Sequence, residues 1–349
     1  MRYRKHIAVV LLAICTLLVA TGCRDSRRIP MVNGHPQITI IVGGLEKVIY
    51  LPAMLTERLD GFARNGIDVK LIGQSSGSSA ELALLTGEAQ GVVGFYDHTI
   101  DMQSKDQCLR TVVQFADVPG EVELVSKADA ESVTSPADFR GRKLGVTSFG
   151  SSTDFITQAL AGQAGLKPAD YSTVQAGAGQ TFISAMNHDG IDAGMTTDPT
   201  VAQMVKSGEA KVLLDMRTEA GTRAALGGLY PASSLYMRCD MVDAHPDIVQ
   251  KLADAFVQTL RWIKTHSAED IAATMPPQYA SGGKDLYIQS LRDSIGMFNG
   301  DGLMKPEGSQ NVLNILGQYS RSVKPARDRI KLEETYTNEF VQRALDKRQ

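Results

Sequence analysis

The chain has 349 residues, enough for about two domains of ordinary size. Hydrophobic residues make up 43% of the sequence and charged residues 21%, which excludes a wholly disordered protein. The formal net charge is −3, so the composition argues against a protein that binds nucleic acid through a basic surface. We therefore expect a globular protein of two units with no nucleic-acid partner.

The N-terminal segment has the pattern of a bacterial lipoprotein signal peptide. Three basic residues lie within the first five positions, and residues 7–20 form an apolar run that is too short to span a membrane. Small residues then lead to Cys23, as in a lipobox. We expect residues 1–22 to be removed, Cys23 to carry lipid, and residues 23–36 to form a tether. The alternative is plain secretion with an unmodified Cys23.

The segment that follows alternates strand and helix patterns. Strands are predicted over residues 37–43, 67–72, 91–95 and 109–115. Helices are predicted over residues 51–62 and 80–86, with Asn65-Gly66 and Gly87 after their last turns. Alternation of this kind indicates a mostly parallel sheet that carries helices on its faces.

A second unit repeats the alternation about 100 residues later. Its strands are predicted over residues 143–147, 172–175 and 191–195. Its helices are predicted over residues 153–165 and 182–186, and a third opens at Asp198-Pro199. The remainder is helical, with an apolar stripe over residues 248–263 and shorter helices over residues 285–297, 308–317 and 331–346. The fold class is therefore α/β, with two similar units in series.

Two turns rich in glycine and hydroxyl residues each follow a strand and precede a helix, at residues 73–79 and 148–153. A helix N-terminus carries unpaired N–H groups and a partial positive charge, so such a turn can bind an anionic or polar ligand. The alternative for each turn is an ordinary helix cap. Two such turns in two echoing units favour a shared binding cleft.

Four segments, at residues 63–69, 84–92, 135–146 and 148–153, resemble type II periplasmic solute-binding proteins. The resemblance covers residues 40–340. More specifically, the segments are similar to the nitrate, sulfonate and taurine branch of that family, which includes binders of thiamine precursors. It implies two lobes that close on a solute and deliver it to an ABC permease with its ATPase. Lobe I would comprise residues 37–122 and 233–349, and lobe II residues 123–232. Hinge strands are expected over residues 121–127 and 232–238.

The same resemblance implies a disulfide bond. In such folds the strand that returns to lobe I runs antiparallel beside a lobe I strand, which would bring Cys239 next to Cys108. Export to an oxidising compartment would permit the bond. The alternative is two small buried thiols.

Position within the resembling segments gives the candidate ligand-binding residues. They are Gly44, Glu46, Gly77, Ser78, Tyr96, Asp97 and His98 from lobe I, and Ser148, Ser151, Ser152, Thr153, Thr197 and Asp198 from lobe II. Four of them also fit roles away from a ligand: Glu46 as a solvated carboxylate, Tyr96 as a core residue, and His98 and Asp198 as helix caps. If the three carboxylates face the cleft, they would repel a bare anion. A sulfonate that also carries a donor group, an amine or a pyrimidine would then fit better.

Two other functional classes stay open. Residues 73–77 match the G-x-S-x-G pattern of serine hydrolases, although only one strand–helix unit precedes Ser75 and no oxyanion segment lies upstream. A structural lipoprotein without a ligand is the third class. Six scattered histidines predict no metal site, and no motif predicts a cofactor. We expect a monomeric, non-enzymatic solute binder in the periplasm, held to a membrane through Cys23.

Overall fold

The computed structural model describes residues 29–32 and 34–347. The predicted signal peptide and Cys23 lie outside these residues. The predicted tether over residues 23–36 is wrong at its C-terminal end, because Met31–Val32 forms a strand that pairs with the start of the next one. Ile29 also packs against the hydrophobic core. The folded part therefore begins several residues earlier than the sequence pattern indicated.

The first sheet contains six strands. They are β1 (Met31–Val32), β2 (His35–Val42), β3 (Asp68–Gly73), β4 (Gly91–Phe95), β5 (Leu109–Gln114) and β11 (Ser233–Arg238). β2 is parallel to both β3 and β4, whereas β11 lies antiparallel between β4 and β5. Ile40 and Ile41 of β2 point to opposite faces and are both buried, as expected for a parallel strand with helices on both sides.

The second sheet contains five strands. They are β6 (Glu121–Ser126), β7 (Lys143–Val146), β8 (Ser172–Gln175), β9 (Ala193–Thr197) and β10 (Ala210–Asp215). Their order is β10–β6–β9–β7–β8, with β6 antiparallel to both of its neighbours and β7 parallel to β8 and β9. Val122 and Leu124 face one apolar cluster while Val125 faces another, so this sheet is also covered on both sides.

Helices cover both sheets. They are α1 (Leu51–Arg58), α2 (Gly61–Arg64), α3 (Gly77–Leu85), α4 (Asp97–Ser104), α5 (Ser152–Gln163), α6 (Gln180–Asn187), α7 (Thr200–Ser207), α8 (Glu219–Leu226), α9 (Cys239–Ala244), α10 (Pro246–Thr265), α11 (Ala268–Thr274), α12 (Lys284–Ser294), α13 (Pro306–Tyr319), α14 (Leu332–Thr335) and α15 (Glu339–Asp346). The predicted stripe on α10 is the buried face of that helix: Leu252, Phe256 and Leu260 are inaccessible to solvent.

The chain passes between the sheets through short irregular segments at residues 115–120 and 227–232. The expected hinge strands have a different role. β6 pairs along its length with β9 and β10, and β11 pairs along its length with β4 and β5. Each strand therefore belongs to a single sheet, and the crossings lie just outside them.

The C-terminal helices do not all pack on the first sheet. Val312 and Leu316 of α13 share an apolar cluster with Ile156 and Leu160 of α5, which covers the second sheet. The predicted single helix over residues 331–346 is interrupted because Tyr336 bridges to Thr111 on the outer edge of β5. The strand edge thus pairs the backbone that a continuous helix would have paired internally.

A disulfide bond joins Cys108, just before β5, to Cys239, just after β11. The two Cα atoms are 5.5 Å apart, and the Cys239 N–H donates to the Cys108 carbonyl at 3.1 Å. The antiparallel pairing of β5 and β11 places these two strand ends side by side. The bond closes a chain segment of 131 residues that contains the whole second sheet.

Candidate functional site

A small polar cavity lies where the two sheets face each other. It is lined by Lys47, Ile49, Tyr50, Gly77, Phe95, Glu121, Thr147, Ser151, Ser152, Thr153, Ala178, Thr196 and Thr197. We call it the inter-sheet cavity. It lies at strand ends of both sheets, the position where ligands bind in open α/β folds. Its volume is about 20 Å³, roughly enough for one water molecule. The two halves are thus closed on each other.

The first hydroxyl turn, between β3 and α3, brings backbone rather than hydroxyls to the cavity. Ser76 is the N-cap of α3, and its Oγ accepts a hydrogen bond from the Ser79 N–H at 3.1 Å. Gly77 then lines the cavity. A Cβ at this position would lie 2.8 Å from Nε2 of His98, so glycine is required for the close approach of helix and ring.

The second hydroxyl turn, between β7 and α5, lines the cavity with side chains. Ser151 Oγ donates to the Ser148 carbonyl at 2.7 Å, and Thr153 Oγ1 accepts from the Thr147 N–H at 2.9 Å. These bonds hold the turn so that Ser151, Ser152 and Thr153 face the cavity at the N-terminus of the 12-residue helix α5. The partial positive charge of that terminus therefore points at any ligand bound there.

Hydrogen bonds join the two turns across the interface. Ser78 Oγ and Ser148 Oγ are 2.7 Å apart. Ser152 Oγ donates to Oδ1 of the fully buried Asp97 at 2.8 Å, and Tyr230 donates to the other oxygen of that carboxylate at 2.9 Å. Burial raises the pKa of Asp97, while these two donors oppose the rise. Asp97 therefore fastens the second turn to α4 rather than lining the cavity.

His98 lies behind the first turn. Its ring is 1% exposed, and Nδ1 lies 2.9 Å from Oε2 of Glu81. Burial favours the neutral ring, but the carboxylates of Glu81, Asp97 and Asp101 outweigh it and raise the pKa of His98 to about 9. The predicted ligand contact of His98 is therefore replaced by a structural one: the charged ring supports Gly77 from behind.

Asp198 also has a role outside the cavity. Its carboxylate accepts hydrogen bonds from Ser294 at 2.7 Å, from Arg217 Nη1 at 2.9 Å and from the Ala202 N–H at 3.1 Å. Its backbone carbonyl accepts from the Val48 N–H at 3.0 Å. Asp198 thus acts as a helix cap, which was the alternative to its predicted ligand contact, and it also contacts both halves of the molecule.

Of the predicted site residues, Gly77, Ser151, Ser152, Thr153 and Thr197 line the cavity. Ser78, Ser148 and Asp97 lie beside it and bridge the halves, whereas the Gly44 carbonyl accepts a hydrogen bond from the Lys47 N–H at 3.2 Å. Two predicted residues do not line the cavity. Glu46 is exposed, and Tyr96 is a core residue whose hydroxyl lies 2.6 Å from Thr335 Oγ1.

The sequence reasoning missed the cavity's two ionisable residues of opposite type. Lys47 is 7% exposed and donates from Nζ to the Gly43 carbonyl at 2.9 Å; burial lowers its pKa. Glu121 is 2% exposed, and burial, followed by the charge on Asp97, raises its pKa well above the ordinary value. Lys47 is one position from the predicted Glu46, whereas Glu121 begins a strand that was expected only as a hinge.

Three of the histidines that could act as a base for Ser75 contact other groups instead. Ser75 is exposed, and α3 begins two residues later, at Gly77. His98 pairs with Glu81, His188 with the Ser184 carbonyl, and His266 stacks on Trp262. Within residues 29–32 and 34–347 there is no group of three or more acidic, histidine or cysteine side chains able to hold a metal ion. Nor is any helix in that part of the chain long and apolar enough to cross a bilayer.

A sequence profile described as NMT1/THI5 like matches residues 51–269, more than half of the chain. The chain belongs to this family. No curated protein sequence matches it. A solved protein from Bordetella bronchiseptica RB50 is 32% identical, with 89% of this chain and 97% of that one covered and a TM-score of 0.84. The profile match and this relative together show that the chain is homologous to the NMT1/THI5-like proteins.

More distant solved structures share the fold. The alkanesulfonate-binding protein SsuA from Xanthomonas axonopodis pv. citri, bound to MOPS, is 15% identical, covers 87% of this chain and 99% of its own, and has a TM-score of 0.70. The periplasmic nitrate-binding protein NrtA from Synechocystis PCC 6803 is 13% identical, covers 90% and 89%, and has a TM-score of 0.66. The predicted α/β fold of periplasmic binding proteins is confirmed.

Proposed function

We propose that this NMT1/THI5-like protein is the solute-binding component of an ABC importer, which captures a small polar organic solute and passes it to a permease. One observation carries the proposal. The turns after β3 and β7, one from each sheet, meet across a polar cavity, where the Ser78–Ser148 hydrogen bond joins them and the Ser152–Asp97 hydrogen bond ties the second turn to α4. Family membership and the shared fold of the sulfonate- and nitrate-binding proteins support it.

Capture would require the halves to part. A cavity of about 20 Å³ is too small for an organic solute, so the state described is closed. We place the hinge in residues 115–120 and 227–232, which moves the first expected boundary between lobe I and lobe II from residue 122 to the segment just before β6. Opening would break the Ser78–Ser148 and Ser152–Asp97 bonds. Hinge closure around a ligand is an established mode of conformational switching.

The cell-envelope location belongs to the same proposal. Residues 1–22 would direct export, and acylated Cys23 would hold the protein at a membrane while lobe closure proceeds above it. The Cys108–Cys239 bond is compatible with an oxidising compartment. Fractionation tests the anchor: the wild type should sediment with membranes, and Cys23→Ala should be lost from that fraction.

A thermal-shift screen of the purified mature protein tests solute capture. The panel would span sulfonates, nitrate, pyrimidines, amines and amino acids. A ligand at 100 times its Kd stabilises the folded state by about 2.7 kcal/mol, which for a protein of this size raises Tm by about 4 °C. Ser152→Ala should abolish the shift.

The matched control is Ser267→Ala. Ser267 is also a hydroxyl at a helix N-terminus, since it caps α11, but it does not border the cavity. This variant should lower Tm in the absence of solute and keep the full ligand-induced shift. A shift that survives in Ser152→Ala, or no shift across the panel, contradicts the proposal.

A further inference from the structure

The inter-sheet cavity contains a carboxyl oxygen without a partner. Oε2 of Glu121 is buried and has no hydrogen-bond partner among the described residues, although the side chain lines the cavity. A buried acceptor left unpaired costs free energy, and more so when it is charged. Buried groups of this kind need an explanation, and a ligand that donates to Glu121 provides one.

Two groups that carry positive charge, the Lys47 ammonium and the N-terminus of α5, also border this cavity. Lys47 lines it and uses one of its three ammonium hydrogens on the Gly43 carbonyl. The N-terminus of α5 reaches it through Ser151, Ser152 and Thr153. No ion pair within 4 Å joins Lys47 to Glu121 among the described residues. The cavity therefore offers separate positive and negative poles.

We propose that the solute is a small zwitterion whose protonated nitrogen pairs with Glu121 and whose anionic end faces Lys47 and the N-terminus of α5. This inference rests on the proposed function and narrows its solute to one chemical class. A simple anion would satisfy only the positive pole and would leave the Glu121 oxygen unpaired. A simple cation would pair with Glu121 and would leave Lys47 and the N-terminus of α5 without an anionic partner from the solute.

Neighbouring carboxyl groups strengthen the preference for a positive nitrogen. Glu123 is the next residue on the same face of β6; it is inaccessible to solvent, and neither of its side-chain oxygens has a hydrogen-bond partner among the described residues. Asp97 acts on Glu121 from α4. Like charges close together favour protonation of one group unless a cation joins them. A protonated amine would supply that cation.

The same geometry couples binding to proton release. The titratable or charged groups that act on Glu121 are Lys47, Tyr50, Asp97, Glu123 and Tyr230. Burial, Asp97 and Glu123 raise the pKa of Glu121, and Lys47 lowers it. Since a bound ammonium favours the ionised carboxylate, binding releases the proton. Affinity then increases with pH, by up to about tenfold per pH unit, until free Glu121 is itself ionised.

Isothermal titration of the purified mature protein with matched probes tests the inference. Taurine and isethionate share a sulfonate and differ by an amine against a hydroxyl; β-alanine and 3-hydroxypropionate repeat the comparison with a carboxylate. We expect each amine to bind at least tenfold tighter than its hydroxyl partner. Titration at pH 6 in two buffers of different ionisation enthalpy should show release of a proton with the amines.

Two isosteric variants locate the effect. Glu121→Gln should reduce the amine preference to below threefold and abolish proton release. Glu123→Gln removes an equally buried carboxyl from the same strand that does not line the cavity, and it should leave the amine preference above threefold because Glu121 still pairs with the amine. The wild-type comparison alone decides the matter if either variant fails to fold.

The contradicting outcomes separate this inference from the proposed function. A hydroxyl probe that binds as tightly as its amine partner overturns the zwitterion and leaves solute capture intact. The zwitterion is also overturned if no amine probe binds while another solute of the wider panel stabilises the protein. If nothing in that panel binds, both proposals fail.

Discussion

The two hydroxyl turns look alike in sequence and behave differently in the structure. In the β3–α3 turn, Ser76 is used as a helix cap, and the cavity receives only the Gly77 backbone, supported from behind by His98. In the β7–α5 turn, Ser151, Ser152 and Thr153 all line the cavity. The difference lies in what packs behind each turn. The buried His98–Glu81 ion pair lies directly behind the first turn, whereas hydrogen bonds from hydroxyls to the backbone hold the second turn.

The half that contains the first sheet also carries the disulfide bond between Cys108 and Cys239. Removal of this bond should have the largest effect on stability of the changes considered. The double variant Cys108→Ser with Cys239→Ser frees a segment of 131 residues in the unfolded chain. We expect the free energy of unfolding to fall by about 2–5 kcal/mol, measured by urea titration. Reduced wild-type protein is the control and should match the double variant. A loss below about 0.5 kcal/mol would show that strand pairing alone holds β5 to β11.

The second prediction separates the halves by pH. Burial raises the pKa of Glu123 in the second sheet to about 8, and the carboxylates around His98 raise its pKa, against burial, to about 9. Both groups bind protons more tightly when folded. Their contributions are complete at low pH and are lost as pH rises, for Glu123 between about 4.5 and 8 and for His98 between about 6.5 and 9.

Urea unfolding at pH 5 to 9.5 measures this loss, which we expect to be of the order of 2–4 kcal/mol in total. Glu123→Gln should flatten the lower part of the profile and His98→Gln the upper part. A stability that increases with pH over this range, or variant profiles parallel to the wild type, would contradict the assignment.

A pair of glycine variants sharpens the comparison of the turns. Gly77→Ala places a Cβ 2.8 Å from the His98 ring and should cost about 1–3 kcal/mol through overpacking. Gly150→Ala, in the second turn, meets no atom within 4 Å but lies at a φ of +73°, so backbone strain alone should cost about 1 kcal/mol. His98→Ala should relieve the first cost and leave the second unchanged. Equal costs that do not depend on His98 would mean that the ring is not the support.

The smallest expected effects come from the serines. Ser76→Ala removes a helix cap and should cost about 1 kcal/mol at any pH. Ser152→Ala removes a donor to the buried Asp97 carboxylate and should cost about 1–2 kcal/mol at neutral pH. The second cost should shrink as pH falls, because a protonated Asp97 depends less on that donor. Thermal unfolding at pH 5 and pH 7.5 distinguishes them, and two costs with the same pH dependence would count against the Asp97 contact.

Strands and helices with a clear apolar period were predictable from the sequence. β4 and β8 have the predicted bounds, and α10 buries the predicted stripe. β10 and α8 were not predicted, because β10 is an edge strand with Lys211 and Val212 exposed and carries no clear alternation. The sequence pattern of an element predicts which residues are buried only where one face of that element is consistently covered.

Of the candidate site, only residues at the ends of strands and in the turns that follow them could be predicted from the sequence. Gly77, Ser151, Ser152, Thr153 and Thr197 follow from the rule that ligands bind at strand ends. Glu121 does not, since the segment Glu121-Val-Glu-Leu-Val alternates like a half-exposed strand. The structure buries both of its faces, one against the α6 and α7 side and the other against α5.

The sequence by itself determined the α/β class, the two units in series and the places where turns meet helix N-termini. These depend on short-range periodicity and on caps, which a few neighbouring residues set. Tertiary structure decided which hydroxyls line the cavity, that Asp97 and Asp198 bridge the halves, and that Glu121 and Lys47 form its opposite poles. Those outcomes depend on desolvation and on partners far away along the chain, which no local pattern encodes.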